Sequence, residues 1–111
     1  MLVVYALCKL VEDGIIKARA FYRNEVFEAA KIFAQTEGFL VAPEAAHAVK
    51  AAIDEARKCK EEGEEKTIIF VNSGHGHFDL AAYDAFNHGM LQDYEYPEEL
   101  IKEALKNLPE I

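Results

Sequence analysis

The residues best suited to chemistry lie together in one short stretch, Ser73–Asp79. It contains a serine, two glycines, two histidines and an aspartate, and it follows the apolar run Thr67–Val71 after one residue, Asn72. In α/β proteins, ligands bind where a strand ends and a glycine-rich turn opens the next helix. We therefore predict that these seven residues, called the Ser73 loop below, take part in ligand binding.

The residue types of the Ser73 loop allow three uses. The backbone N–H groups of residues 73–77 could bind an anion at the start of a helix. His75, His77 and Asp79 could hold a metal ion with His47 as a further ligand, although one His-x-His pair is weak support for a metal site. The loop could also be a plain glycine turn whose histidines face solvent. The residues alone leave anion binding and the plain turn open and favour metal binding least.

A second candidate is Glu44, which follows the apolar run Phe39–Ala42 and opens a long helical pattern. If both apolar runs are strands of a parallel sheet, Glu44 and the Ser73 loop meet at the same edge of that sheet. The alternative for Glu44 is a carboxylate favoured by the helix dipole. For His47 we expect a helical side chain with a satisfied hydrogen bond.

The periodicity of apolar residues predicts an alternation of helices and strands along the chain. The predicted helices span residues 2–13, 24–37, 45–59, 79–88 and 97–108, and the predicted strands span 15–22, 39–42 and 67–71. Asn24 and Asp79 are the predicted N-caps of their helices. This order indicates a single α/β domain over residues 1–111, with three αβα layers and a short parallel sheet of about three strands. The pattern assigns no role to the tail from residue 94 to residue 111. Because the open edges of so small a sheet would need cover from another segment or another copy, we also expect a homo-oligomer.

Composition limits the partners of this chain. It has 111 residues, 51% of them hydrophobic, and a net charge of −8. That charge disfavours nucleic acids and anionic membranes, which bind clustered lysine and arginine. No run is long enough to span a membrane and no signal peptide is evident, so we predict a cytoplasmic protein. Cys8 and Cys59 are expected to be buried free thiols.

Two motifs resemble a known family. The stretch Ala42–Val49, with the sequence APEAAHAV, and the stretch Ser73–Leu80, with the sequence SGHGHFDL, resemble the C-terminal part of tryptophan synthase beta chains, most closely those of the second type. The stretch from Glu25 to Gly38 extends the similarity, which covers about residues 2 to 90.

The resemblance implies a fold-type II enzyme that uses pyridoxal 5'-phosphate to join L-serine and indole into L-tryptophan. It implies that Ser73 lies at the pyridine nitrogen of the cofactor and Glu44 beside its ring. It also implies that the turn beginning at Gly74 lets the backbone pass close to that ring. His75 and His77 match the second-type pattern, and no catalytic role is carried over for either.

Two parts that the family needs have no counterpart in these 111 residues. No lysine stands in the family's His-Lys context for a Schiff base, and no glycine-rich phosphate loop is present. The resemblance therefore implies no catalytic residue here, a missing N-terminal segment as partner, and no cofactor bound by the isolated chain. The alternative is a stand-alone α/β module that binds an anion or small ligand, or only forms homo-oligomers.

Overall fold

A computed structural model describes residues 2–94 and 97–100, and side chains among them from residue 5 onward. This part of the chain is mainly helical. Its helices are α1 (Leu2–Glu12), α2 (Arg23–Glu37), α3 (Pro43–Glu62) and α4 (Leu80–Asn87), with a short 3₁₀ turn at Gly76–Phe78. Most of the predicted helix at 97–108 lies outside the described residues. Within the described part, residues 98–100 are helical. None of the described helices is long and apolar enough to cross a membrane.

The predicted C-terminal end of α2 at a glycine is confirmed, and α3 also ends at a glycine. Gly38 follows α2 and Gly63 follows α3, each with a φ of +68°, a left-handed conformation that favours glycine. Their N–H groups donate to the carbonyl oxygens of Ala34 and Cys59. Pro43 begins α3, where its missing N–H group leaves no intrahelical hydrogen bond unmade.

The start of α2 differs from the prediction, because Tyr22 and not Asn24 is the N-cap. The Tyr22 N–H donates to the Glu25 carboxylate at 2.7 Å. The Asn24 N–H donates to the carboxylate of Asp93, 69 residues later, at 2.9 Å. The start of α2 is therefore capped by the distant Asp93 carboxylate, and not by the Asn24 side chain as the sequence indicated.

Replacing Asp93 with alanine should lower the free energy of unfolding by about 1 kcal/mol, the usual value of a side-chain cap. The reason is that the Asn24 N–H, in the first turn of α2, would lose its acceptor. Urea unfolding followed by circular dichroism measures the change. Gln92→Ala, at the exposed neighbouring position, is the control and should leave the midpoint unchanged. Equal midpoints for the two variants would contradict this role of Asp93.

The core lies between α2 and α3 and is closed by α4. Phe27 of α2 is its aromatic centre, with ring centroids 5.0 Å from Tyr83 and 5.4 Å from Phe86. Val41, in the connection between α2 and α3, is completely buried against this cluster. The other buried members are Val26, Ala29, Ala30, Ala45, Ala46 and Val49.

The predicted αβα layers and parallel sheet are wrong. The described residues contain no strand and only an isolated antiparallel bridge between Val41 and His75. A strand requires a neighbouring strand for its backbone hydrogen bonds. The segments 15–22 and 67–71 have the composition of strands, but their backbones form no ladder within the described residues.

The thiols are both free, but only one is buried. Cys59 lies buried on α3, whereas Cys8 on α1 is exposed, so its predicted burial is wrong. The apolar stripe of α1 has the expected spacing, yet Tyr5, Leu7 and Val11 remain between 39% and 50% exposed. The described residues therefore do not cover α1.

Candidate functional site

The Ser73 loop is fixed to the segment that leads into α3. The Ala42 N–H donates to the Gly74 carbonyl at 2.9 Å, and the Gly76 N–H donates to the Leu40 carbonyl at 2.7 Å. These two bonds flank the antiparallel bridge between Val41 and His75. They hold the loop beside Ala42, the N-cap of the helix that carries Glu44.

The two glycines of the loop permit this close approach. A Cβ atom on Gly76 would lie 2.6 Å from the Val41 carbonyl oxygen and 2.9 Å from Leu40 Cγ. A Cβ atom on Gly74 would lie 3.1 Å from the Cβ of Ala42. From the sequence we expected these glycines to make room for a ligand. At Gly76 the close neighbour is instead the backbone carbonyl of Val41.

Tyr83 of α4 holds the other side of the same peptide. Its hydroxyl donates to the Val41 carbonyl oxygen at 2.7 Å, in a buried position. Burial, and to a smaller extent the nearby Asp79 carboxylate, raises the pKa of Tyr83 to about 12. The Val41 peptide is therefore held between the Ser73 loop and α4.

The residues predicted to contact the cofactor are accessible. Ser73 and Glu44 are exposed, and Gly74 is half-buried. Glu44 borders a cavity of about 340 Å³ at the starts of α2 and α3, together with Arg23, His47 and Tyr94. Ser73 and Gly74 do not line that cavity, so the structure brings the two segments together at Ala42 without placing both side chains in one cavity.

The histidines near the site have local partners. His75 Nδ1 accepts the His77 N–H at 3.3 Å, and the two ring centroids lie 4.7 Å apart. His47 Nδ1 lies 3.2 Å from the Pro43 carbonyl oxygen, which confirms the predicted satisfied helical side chain. In the part of the chain that the structure describes, no three His, Cys, Asp or Glu side chains are grouped to hold a metal ion.

Known proteins similar to this chain are tryptophan synthase beta chains. The second-type chain of Aquifex aeolicus is 63% identical over 87 residues, which is 78% of this chain and 20% of that protein. The chain of Thermococcus onnurineus is 58% identical over 91 residues, 82% of this chain and 20% of its own length. The second-type chain of Aeropyrum pernix is 53% identical over 94 residues, 85% and 21% of the two chains. This chain belongs, as a segment, to the tryptophan synthase beta chain family.

The match covers only a small part of the relatives. The chain spans about a fifth of the length of these relatives, and their N-terminal part has no counterpart in it. No family model matches the chain. The predicted resemblance to a C-terminal segment of the second type is confirmed by these identities.

Sequence reasoning missed two residues that position this segment of a tryptophan synthase beta chain. Tyr83 was predicted only as an inward apolar side chain of its helix. The available signal was its hydroxyl, because a buried tyrosine usually has a hydrogen-bond partner. Asp93 carried no comparable signal, since its contact with Asn24 is made across 69 residues.

Proposed function

We propose that this chain forms one wall of a pyridoxal 5'-phosphate site in a tryptophan synthase that makes L-tryptophan from L-serine and indole. Ser73 would lie at the pyridine nitrogen, Glu44 beside the ring, and the backbone at Gly74 close to the ring. The observation that carries the proposal is the pairing of the Ser73 loop with residues 40–42, which sets the loop beside the start of α3.

The side chains present fit this group. The Ser73 hydroxyl has no hydrogen bond with the described residues, so it is free to contact a ring nitrogen. A hydroxyl, unlike a carboxylate, does not hold that nitrogen protonated. The bound cofactor supplies a moderate electron sink, which suits replacement at the β-carbon of an amino acid.

The chain depends on the rest of the enzyme for the remaining parts. The Schiff-base lysine and the phosphate loop would come from the N-terminal portion that the relatives have, so the isolated chain should be inactive and bind no cofactor. A cytoplasmic, homo-oligomeric enzyme remains our prediction from the sequence.

The test joins the part of the Aquifex aeolicus relative that precedes the matched segment to this chain. In that joined chain, Ser73→Ala should weaken pyridoxal phosphate binding about fivefold, because one hydrogen bond contributes about 1 kcal/mol. Fluorescence titration with pyridoxal phosphate measures the affinity, and absorbance reports the state of the ring. Thr67→Val removes an exposed hydroxyl outside the loop and serves as the control.

Two results would contradict the proposal. One is a Ser73→Ala chain whose cofactor affinity and absorbance both match those of the parent. The other comes from the isolated chain treated with pyridoxal phosphate and borohydride. A single stoichiometric adduct on one lysine, detected by mass spectrometry, would show that the N-terminal portion is not needed.

A further inference from the structure

A single peptide group, between Val41 and Ala42, lies between the Ser73 loop and a side chain of α4. Its carbonyl oxygen accepts a hydrogen bond from the Tyr83 hydroxyl at 2.7 Å, and its N–H donates to the Gly74 carbonyl at 2.9 Å. Because the peptide group is planar, fixing its oxygen also fixes the direction of its N–H. Hydrogen bonds connected in this way also polarise and strengthen each other. The Tyr83 hydroxyl therefore constrains the loop without touching it.

The chain between these two contacts is short and is itself hydrogen-bonded. After Gly74 it forms the 3₁₀ turn Gly76–Phe78, and the first carbonyl of that turn accepts the Asp79 N–H at 2.9 Å. The Tyr83 N–H donates to the Asp79 carbonyl at 3.1 Å, in the first turn of α4. This segment and the peptide group form a closed ring of covalent and hydrogen bonds, and Ser73 directly precedes that ring. A change at Tyr83 is therefore transmitted to Ser73 over a short, ordered path.

The Tyr83 side chain is held firmly enough to position a neighbour. The residue is buried, and its ring meets that of Phe27 edge-on, with centroids 5.0 Å apart. Burial raises the pKa of Tyr83 to about 12, so the hydroxyl stays neutral and can donate throughout the neutral pH range. Phenylalanine would fill the core equally well with the same ring, and a buried hydroxyl is costly unless it is hydrogen-bonded. The oxygen of Tyr83 is thus needed for its contact with Val41, and not for packing.

We propose that Tyr83 is a positioning residue for the cofactor site. Through the Val41–Ala42 peptide, its hydroxyl fixes the Gly74 carbonyl and thereby the place of the Ser73 hydroxyl. Tyr83 does not contact the cofactor in this assignment, and it acts only on the loop that does. The inference rests on the proposed role of Ser73, and it adds α4 to the elements on which that role depends.

A double-mutant cycle in the joined chain described above tests the coupling between the two hydroxyls. Tyr83→Phe should weaken pyridoxal phosphate binding about threefold, and it should change the absorbance of the bound ring in the same direction as Ser73→Ala. Once residue 73 is alanine, no hydroxyl is left to position, so adding Tyr83→Phe should leave the affinity almost unchanged. Phe86→Leu is the matched control, because it trims a ring that stacks on Phe27 at 5.4 Å and leaves the hydrogen bond in place. It should change neither the affinity nor the absorbance.

The isolated chain gives a second measurement that needs no cofactor. Without the Tyr83 hydroxyl, the Val41–Ala42 peptide should separate from the loop more often, so the Ala42 amide should exchange with solvent faster. Hydrogen exchange followed by NMR measures this rate relative to that of the amide of Val49, a buried residue of α3, and the ratio corrects for any loss of global stability. Tyr83→Phe should raise the ratio about fivefold, and Phe86→Leu should leave it unchanged.

The outcomes separate this inference from the proposed function. If Ser73→Ala weakens binding while Tyr83→Phe matches the parent in affinity and absorbance, the role of Tyr83 is overturned alone. It is also overturned if the two losses multiply in the double variant, since Tyr83 would then act independently of Ser73. If Ser73→Ala has no effect, the proposed function fails, and the exchange ratio decides whether Tyr83 holds the loop. A ratio that Tyr83→Phe leaves unchanged would contradict that contact in either case.

Discussion

Replacing Gly76 with alanine is expected to lower the free energy of unfolding by about 3 kcal/mol, the upper end for overpacking. The new methyl group would lie 2.6 Å from the Val41 carbonyl oxygen and 2.9 Å from Leu40 Cγ. The carbonyl cannot move away easily, because Val41 is completely buried and its oxygen accepts a hydrogen bond from Tyr83. Relief requires the loop to move away, which would break the 2.7 Å bond from the Gly76 N–H to Leu40. Guanidinium unfolding measures the loss.

Gly74→Ala is the matched control for this prediction. Its methyl group would meet only the Cβ of Ala42, at 3.1 Å, so we expect a loss of less than about 1 kcal/mol. In the joined chain, Gly76→Ala should also weaken cofactor binding, because Ser73 is carried by the same loop. Equal stabilities for the two alanine variants would show that the approach of Gly76 to Val41 does not constrain the loop.

The helices were predictable because their signals are local. Apolar spacing and the glycines after each helix indicated α1 to α4 to within a few residues, and Gly38 and Gly63 have the left-handed φ that such ends favour. The sheet was not predictable from the same residues. A run such as Thr67–Val71 shows strand composition, but whether a ladder forms depends on a neighbouring strand, and the described residues supply none.

The candidate site was predicted for a partly wrong reason. The sequence placed Glu44 and the Ser73 loop at one edge of a parallel sheet. The structure brings the loop to Ala42 instead, by an antiparallel bridge between Val41 and His75. The loop lies beside Ala42 because the glycines that suit a ligand also allow it to contact the backbone of residues 40–42, but Ser73 and Gly74 do not line the cavity that Glu44 borders. The roles of Ser73, Gly74 and Glu44 at the cofactor remain predictions.

Tyr83→Phe should lower the free energy of unfolding by about 1–3 kcal/mol at neutral pH, since the buried Val41 carbonyl loses its hydroxyl donor. The ring itself stays, so its edge-to-face contact with Phe27 at 5.0 Å is retained. Phe86, whose ring also stacks on Phe27, offers a control in Phe86→Leu, which trims packing without touching the hydrogen bond. Thermal unfolding at pH 7 compares the three proteins.

The same hydroxyl should make stability depend on pH in a defined alkaline window. Tyr83 has a folded pKa of about 12, and an unfolded tyrosine titrates near pH 10. A raised folded pKa means that the stabilisation is fully present below about pH 10 and is lost as the pH rises to about 12. Over those two units the loss amounts to at most about 2–3 kcal/mol. Denaturant unfolding at pH 9 to 12 should show this fall in the free energy of unfolding. The stability difference between the parent and Tyr83→Phe should shrink over the same range, because the ionised oxygen no longer donates to the Val41 carbonyl. A difference that stays constant across the window would mean that the Tyr83 hydroxyl is not held neutral by burial.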